Sequence, residues 1–545
     1  MTTTDVALDR SARKSRSRRP SVLDSKLGAG PGRAGFAVFS AALAVGLGYA
    51  GSQLLADLAH VHPASILPFV LLGVALLVAL AFEFVNGFHD TANAVATVIY
   101  THSLEPHVAV VWSGVWNFIG VLVSTGGVAF GIISLLPVEL ILQVGGNAGF
   151  AMVFALLTAA IIWNLGTWYF GLPSSSSHTL IGSVIGVGVA NQLLAVKTAT
   201  SGVDWKQAAN IGRSLLISPL VGCVVAALLL LTMKRVLKSR HLYEAPEGTR
   251  PPPFWIRSLL VLTCTGVSFA HGSNDGQKGM GLIMLILIGT VPTAYALNHA
   301  VSRKDSQDFV AVSAMAADTL GRYATPGVVA SPDARDDVTA YVRTRALAPA
   351  TVASIAGLMS SVGKDMASYK ELKSVPPEKT RNFRNDMYLV SEALRLMEKS
   401  HEPAIGPADV AVLKNYRKHT DNATRFIPPW VKVAVAIALG LGTMIGWKRI
   451  VVTVGERIGK DHLTYAQGAA AELTAMATIG AADAFGLPVS TTHVLSSGVA
   501  GTMVANRSGL QWNTVRSLLL AWVLTLPVSI ALSGTLFWVF SHFGI

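Results

Sequence analysis

The chain has 545 residues, of which 51% are hydrophobic and only 14% are charged, and its mean hydropathy is +0.50. Soluble domains carry about a quarter of their residues as charged side chains, so this composition excludes a soluble globular protein and indicates a polytopic membrane protein. The formal net charge of +12 comes from a basic tail and short basic loops and does not identify a substrate. The two cysteines, Cys223 and Cys264, lie in apolar runs and predict core packing rather than a disulfide or metal site.

The N-terminal tail, residues 1–33, holds eight Lys and Arg residues and no apolar segment. We interpret it as a disordered cytoplasmic tail that follows the positive-inside rule, rather than as a segment that binds nucleic acid or lipid. The apolar segment after it is of full length and lacks a clear small-residue cleavage site. Residues 34–64 therefore predict an extra N-terminal transmembrane helix with its loop instead of a cleaved signal peptide.

Apolar runs, some of them of half length, predict an all-α protein with about ten to twelve transmembrane helices. We group them into a first transmembrane repeat, 65–233, a basic loop, 234–254, and a second repeat that is divided into 255–299 and 429–545. The runs lie near 34–56, 65–86, 108–136, 149–170, 179–196, 212–233, 255–270, 279–297, 429–447, 466–485, 493–505 and 517–541.

We infer two repeats from an internal duplication of the sequence. Residues 171–178 read Gly-Leu-Pro-Ser-Ser-Ser-Ser-His, and residues 486–493, which lie 315 positions later, read Gly-Leu-Pro-Val-Ser-Thr-Thr-His. Residues 86–93 and 271–278 agree more loosely, since both place Gly three residues before Asp. Paired interruptions of hydrophobic segments by Gly, Pro and hydroxyl residues are typical of the substrate site of a transporter. Solute transport is therefore the leading hypothesis.

The second copy contains an extra segment, residues 300–428, in which charged residues are frequent and membrane-length apolar runs are absent. It predicts an extramembrane, soluble helical insert. Its balanced charges do not indicate the side of the membrane. We interpret it as a small helical domain that packs on itself, with a regulatory or partner-binding role as the alternative. Apolar residues at spacings of four and three predict one helix face: Phe383, Met387, Val390, Leu394 and Met397.

Four acidic residues lie inside or beside apolar stretches, where an uncompensated carboxylate costs several kcal/mol. Asp90 and Asp275 stand at equivalent positions of the two copies, beside Gly and amide residues. This context predicts helix breaks at which carboxylate and carbonyl oxygens hold a small cation, with helix capping as the alternative. Glu472 and Asp483 have no duplicate, and for both a structural role remains equally open.

Two rows of hydroxyl side chains follow a proline and precede an apolar helix. They are therefore expected at helix N-termini, where free N–H groups and the positive end of the helix dipole bind an oxyanion. Capping explains one hydroxyl in each row but not three or four. We predict that the rows bind an anion, and they comprise Ser174, Ser175, Ser176, Ser177, Ser490, Thr491 and Thr492.

An anion beside two carboxylates is repelled unless cations occupy the gap, so the combination predicts cation-coupled symport. A passive anion channel is one alternative, although a pore does not need paired acids. An intramembrane hydrolase is another, but Ser and His lie one to four residues apart on one helix and the Gly-x-Ser-x-Gly elbow is missing. We therefore expect no enzyme activity and no cofactor.

Basic side chains adjoin both motifs. The four histidines can relay protons near neutral pH, although a histidine in a polar segment more often has a purely structural hydrogen-bonding role. Lys278 either neutralises an anionic substrate or pairs with Asp275. The histidines are His89, His178, His271 and His493.

The long motifs resemble those of the PiT inorganic phosphate transporters, specifically the bacterial low-affinity Pit permeases. The resemblance covers about residues 65–300 and 429–545. It is carried by residues 86–101, 162–173, 271–279 and 488–493.

The resemblance implies two inverted repeats with broken helices, a homodimer in the bacterial inner membrane, and inorganic phosphate bound at the midplane, with metal-complexed phosphate as a further candidate. It adds Asn93 and Gln277 to the site, beside Asp90, Asp275 and the two rows. Bacterial Pit permeases are typically driven by protons, and other branches use sodium. Branches of the family differ between an amide and an acid at the position of Glu472, so this residue leaves the coupling ion open.

Overall fold

The structure is a computed structural model, and it describes residues 33–59, 66–90, 92–136, 147–194, 202–246 and 250–543. The predicted disordered tail lies almost wholly outside these residues. Within them the regular secondary structure is helical, which confirms the predicted all-α class. The α-helices are α1 Arg33–Leu58, α2 Leu67–Asp90, α3 Ala92–Tyr100, α4 Pro106–Val123, α5 Gly127–Ile133, α6 Asn147–Tyr169, α7 Ser176–Leu194, α8 Trp205–Val236, α9 Phe254–Thr290, α10 Pro292–Tyr295, α11 Arg303–Gly321, α12 Ala334–Thr344, α13 Thr351–Tyr369, α14 Pro377–Ser400, α15 Pro407–Thr424, α16 Pro429–Thr443, α17 Lys448–Val452, α18 Tyr465–Ala484, α19 Thr491–Asn506 and α20 Trp512–Phe543.

Fewer helices cross the full hydrocarbon thickness than the ten to twelve predicted. Among the described residues seven helices are long and apolar enough to span a membrane, or up to eight if one bent pair counts as a span. Part of the difference arises because the apolar runs 255–270 and 279–297 form the single 37-residue helix α9. Other runs form helices of fewer than 18 residues, such as α16 and α19.

The helix break predicted at Asp275 is wrong, because α9 continues through it. Its three nearby glycines mark close packing instead of a break. A Cβ atom on Gly272 would overlap the backbone of Asn117, and one on Gly276 or Gly279 would overlap side chains of neighbouring helices. In the first copy, α2 ends at Asp90 and α3 begins two residues later.

The two hydroxyl rows lie at helix N-termini, as predicted. Helix α7 begins at Ser176 and α19 begins at Thr491. Helix α7, which begins at the first row, packs on α20, the long helix that comes after the second row. Helix α19, which begins at the second row, packs on α8, the long helix that comes after the first row. Gly186 lies against the backbone of Ile530 in the first pair, and Gly501 lies against the backbone of Cys223 in the second. This crossed packing brings both rows to one place.

Between α10 and α16 the chain forms five helices, α11 to α15, that share a hydrophobic core of their own. The predicted apolar face of α14 is confirmed, since its five residues are buried in that core. We keep the proposed domain boundaries as predictions.

Asp204, just before α8, joins the membrane-spanning helices to the insert. Its carboxylate lies 3.0 Å from Arg345 Nη2 and 3.3 Å from Arg395 Nη2, and it accepts the backbone N–H of Gln207 at 2.9 Å. Burial opposes the ionised form, but the N–H of Gln207 and the two guanidinium groups outweigh it and lower the pKa of Asp204.

Candidate functional site

Asp90 lies against the first turns of both row helices. Ser176 Oγ donates to Asp90 Oδ2 at 2.5 Å, and the backbone N–H of Ser176 lies 3.4 Å from the same oxygen. Thr492 Oγ1 donates to Asp90 Oδ1 at 2.8 Å. All three side chains are buried. The carboxylate of the first copy is therefore in contact with the hydroxyl rows of both copies.

Asp275 approaches the same place from α9. Its Oδ2 lies 3.4 Å from Ser176 Oγ, 2.7 Å from Lys278 Nζ and 3.4 Å from His271 Nε2. Lys278 Nζ also donates to Ser177 Oγ at 2.6 Å, so it pairs with the acid and also reaches a row hydroxyl. Lys278 and Asp275 are both almost fully buried. A buried lysine beside buried acids reduces the repulsion that an incoming anion meets.

Not every hydroxyl in the rows faces the acids. Ser175 and Ser490 accept the backbone N–H groups of His178 and His493 at 3.2 and 3.1 Å, which is N-capping. Thr491 Oγ1 is buried and has no hydrogen-bond partner among the described residues. Ser175 and Ser490 are thus capping residues, whereas Ser176 and Thr492 bind the acid and Thr491 presents a free hydroxyl.

Two further hydroxyls in the first row have partners outside the acid pair. Ser174 Oγ lies 2.8 Å from Thr167 Oγ1, and Ser177 Oγ donates to the carbonyl of Val489 at 2.7 Å. Ser177 therefore joins the start of α7 to the segment that precedes the second row.

The four histidines form two pairs of different character. His89 Nδ1 lies 2.9 Å from Asp90 Oδ1, and His271 lies beside Asp275, so these two contact the acids. His178 and His493 lie behind the rows with ring centroids 4.6 Å apart, and His493 stacks on Trp522. Only the first pair is placed to exchange protons directly with the carboxylates.

Asp90, His271 and Asp275 offer one ligand atom each, and these atoms all lie within 4.8 Å of one another. Carboxylate oxygens suit hard cations such as Mg²⁺ or Ca²⁺, and imidazole suits transition metals. The three residues thus fit a cation. Hydroxyls from both rows border the same cluster.

Two other predicted residues have different surroundings. Gln277 Nε2 donates to Asp483 Oδ1 at 2.6 Å, and its Oε1 accepts the N–H of Val128 at 2.9 Å, so it faces Asp483 and α5. Asp483 also accepts the hydroxyl of Ser273 at 2.6 Å. The side chain of Asn93 lies outside the described residues.

Glu472 is fully buried on α18. Its two carboxylate oxygens accept the hydroxyls of Thr97 and Thr263, one each. Three oxygen-bearing side chains from three helices therefore converge here, at a place defined by α3, α9 and α18.

Glu83, a further acidic residue that was not among the predicted site residues, is fully buried on α2. It stands seven residues before Asp90, which is about two helical turns and places both acids on one face of the helix. An acid inside an apolar helix is a functional signal in its own right, and this signal was present in the sequence.

The family follows from comparison with known proteins. Residues 86–533 match the model of the phosphate transporter family PHO4. The chain belongs to this family. The match spans both aspartates, both hydroxyl rows and the insert, so the predicted resemblance to phosphate transporters is confirmed. Phosphate is the substrate of the family, and this member is a multi-pass membrane protein.

Relatives within the phosphate transporter family are similar over nearly their whole length. Low-affinity inorganic phosphate transporter PitB of Escherichia coli K12 is 43% identical over 487 residues, which cover 86% of this chain and 97% of the relative. PitA of the same strain is 43% identical over 491 residues, with the same coverage. A probable low-affinity inorganic phosphate transporter of Bacillus subtilis is 28% identical over 465 residues, covering 85% of this chain and 95% of the relative.

A solved structure described as the sodium-dependent phosphate transporter is also similar. It aligns with 87% of this chain and 99% of its own chain, at 18% identity and a TM-score of 0.47.

Proposed function

We propose that this protein is a secondary active symporter that imports inorganic phosphate together with protons. The observation that carries the proposal is the contact of Asp90 with Ser176 of one row and Thr492 of the other, at 2.5 and 2.8 Å. This contact supports the proposal, because it brings acids that can bind cations next to hydroxyls that can donate to an anion. The names of the relatives, low-affinity inorganic phosphate transporters, support phosphate as the anion.

The donors suit a tetrahedral oxyanion. The N-termini of α7 and α19 converge, and each offers backbone N–H groups and the positive end of a helix dipole. Ser176 and Thr492 add hydroxyl donors, and Lys278, whose ammonium lies on Ser177 Oγ, adds a positive charge. In this proposal phosphate replaces the aspartates as the acceptor for part of these donors.

Electrostatics favour coupling over passive flow. Moving phosphate into a negative interior costs about 2.3 kcal/mol of free energy per negative charge per 100 mV, and co-transported cations cancel that cost. Asp90 and Asp275 would also repel phosphate unless a cation or proton neutralised them. A passive anion channel is therefore the weaker alternative.

Protons are our proposed coupling ion because His89 Nδ1 and His271 Nε2 contact the two aspartates, and a histidine ring can pass a proton to or from a neighbouring carboxylate. Sodium is the alternative. Glu472 with Thr97 and Thr263 forms an oxygen-rich set of the kind that binds sodium.

The cargo has a second candidate form, a complex of phosphate with a divalent metal. The cluster of Asp90, His271 and Asp275 supports this form, since it offers two carboxylates and an imidazole for the metal. The metal would be part of the substrate, so no resident cofactor is required. We place the protein in the bacterial inner membrane, in contact with lipid, and expect a homodimer.

Uptake of labelled phosphate into proteoliposomes tests the proposal. An imposed inside-alkaline gradient without sodium should drive accumulation above equilibrium, and a protonophore should abolish it. Protein-free liposomes give the background, and an imposed sodium gradient tests the alternative ion. Uptake that needs sodium and ignores protons would assign the protein to the sodium-coupled branch. Uptake that never exceeds equilibrium under either gradient would favour a channel.

A further inference from the structure

Glu83 is an acidic residue of α2 that takes no part in the cluster of aspartates and row hydroxyls. It is fully buried, and Oε2 accepts one long hydrogen bond, 3.4 Å, from Asn86 Nδ2. Oε1 has no hydrogen-bond partner among the described residues. Within those residues it also forms no ion pair, unlike Asp90 and Asp275.

The carboxyl group of Glu83 lies directly on Gly279 of α9. A Cβ atom at Gly279 would overlap the Cγ, Cδ and Oε1 atoms of Glu83. Since Gly279 follows Lys278, the missing side chain lets Glu83 approach the segment that carries the lysine. Of the titratable groups on the helices packed against α2, those that act electrostatically on Glu83 are Lys278 and Asp275, one attractive and one repulsive.

Lys278 attracts Glu83 but forms no ion pair with it in this conformation, because its ammonium contacts Asp275 at 2.7 Å and Ser177 at 2.6 Å. An ionised carboxylate without a cation or strong donors is highly unfavourable in a water-poor interior, and such a group takes up a proton instead. Glu472 differs in this respect, since two hydroxyls satisfy its oxygens.

We propose that Glu83 is a binding site for a transported proton, and that Lys278 controls its occupancy. While Lys278 pairs with Asp275, Glu83 holds the proton as a neutral carboxyl group. When Lys278 turns from Asp275 towards Glu83, the carboxyl group loses its proton to the adjacent compartment and becomes a carboxylate paired with the ammonium. One proton is thus taken up and released in each cycle, and no other bond forms or breaks.

This inference rests on the proposed proton symport, so its test separates the two. Reconstituted wild type, Glu83→Gln and Glu83→Asp are compared in two assays: accumulation driven by an inside-alkaline gradient, and phosphate exchange at equal pH without a gradient. Glu456→Gln is the matched control, because Glu456 is a half-buried glutamate between α17 and α18 with a partner of its own, Tyr100 Oη at 2.6 Å.

We expect Glu83→Gln to retain exchange within about twofold of wild type and to lose at least about tenfold in driven accumulation, since the amide keeps the shape but binds no proton. Glu83→Asp should restore part of the accumulation, and Glu456→Gln should match wild type. Infrared spectroscopy gives a readout that does not depend on transport. The carbonyl band of a protonated carboxyl group should be present in wild type at neutral pH, absent from Glu83→Gln and shifted in Glu83→Asp.

If wild type responds to the proton gradient and Glu83→Gln accumulates as much phosphate as wild type, this inference alone is overturned. A wild type that ignores the proton gradient would overturn the proposed proton coupling, and the inference with it. If Glu83→Gln also lost exchange, the infrared comparison of wild type with Glu83→Asp would decide. Identical carbonyl bands would mean that Glu83 carries no proton, whereas a shifted band would support the proposal.

Discussion

Thr492 donates a hydrogen bond of 2.8 Å to Asp90, although 402 positions separate the two residues in the chain. The hydroxyl belongs to the second copy of the duplicated motif and the carboxylate to the first. Because Ser176 of the first row binds the other oxygen of the same carboxylate, neither copy holds a complete site. The functional unit of the proposed transporter is therefore the junction between the copies.

The two aspartates should be essential for coupling. We expect Asp90→Asn or Asp275→Asn to lower gradient-driven phosphate uptake by at least about tenfold while the protein remains folded, because the amide keeps the shape and loses the charge that holds a cation. Uptake assays in proteoliposomes, with size-exclusion chromatography as the folding control, check this. A variant with full driven uptake would remove that aspartate from the cation site.

The row hydroxyls that contact the acids should matter more for phosphate affinity than those that cap helices. A hydrogen bond to a charged group contributes about 1.5–3 kcal/mol, so Ser176→Ala or Thr492→Val should raise the half-saturating phosphate concentration about tenfold or more. Ser175→Ala and Ser490→Ala remove N-caps, which costs about 1 kcal/mol of stability, and should change the affinity less. Concentration-dependent uptake by the four variants provides the measurement. The division of the rows fails if all four retain wild-type affinity.

Glu472 should contribute to cation coupling. We expect Glu472→Gln to lower driven uptake and to leave phosphate exchange in place, because an amide can still ligate sodium but cannot titrate. The measurement is the pH profile of uptake with and without a sodium gradient. Loss of the proton-driven part indicates a proton acceptor, and an unaltered profile would assign Glu472 a structural role.

Asp204 should hold the insert in place in a pH-dependent way. Its pKa is lowered in the folded protein, so its ion pairs stabilise the attachment above the unfolded pKa of about 3.9, and this contribution is lost as the pH falls through the lowered value. At pH near 7 we expect Asp204→Asn to increase the rate of proteolytic cleavage in the insert about two- to fivefold, in keeping with the modest worth of such pairs. Asn still caps the helix, so the change isolates the charge.

The control for Asp204 is Asp409→Asn, which removes an ion pair with Arg322 inside the insert. It should not loosen the attachment to α8. Equal cleavage rates for Asp204→Asn and wild type at pH near 7 would contradict the prediction.

The packing of α7 on α20 depends on glycine positions at which a side chain would not fit. A Cβ atom at Gly186 would overlap the carbonyl of Ile530 and the hydroxyl of Ser533, whereas Gly166 has open space at the same position. Gly186→Ala should cost about 1–3 kcal/mol through overpacking, and Gly166→Ala should be neutral or slightly stabilising. Thermal unfolding of the two variants measures the difference. Similar melting temperatures would argue against the close contact.

Local features could be predicted from the sequence, and contacts between distant segments could not. The rows were expected at helix N-termini because a proline stops the preceding segment and Ser or Thr caps the next one, and α7 and α19 begin there. The contact between Asp90 and Thr492 depends on how the helices pack, which no local pattern records. The break expected at Asp275 is absent. Glycine occurs both at helix breaks and where helices approach closely, and the glycines of α9 lie at close approaches.

The crossed packing of α7 and α20 has a consequence for biosynthesis. Helix α7 begins at Ser176, and the surface on which it packs is made by Trp512–Phe543, near the end of translation. At about 5–20 residues per second, the ribosome needs tens of seconds to add the residues between them. During that interval the first hydroxyl row is in the membrane without its packing partner. A ribosome that stalls within the insert would therefore leave a fragment that lacks α20 and the second hydroxyl row and cannot close its site.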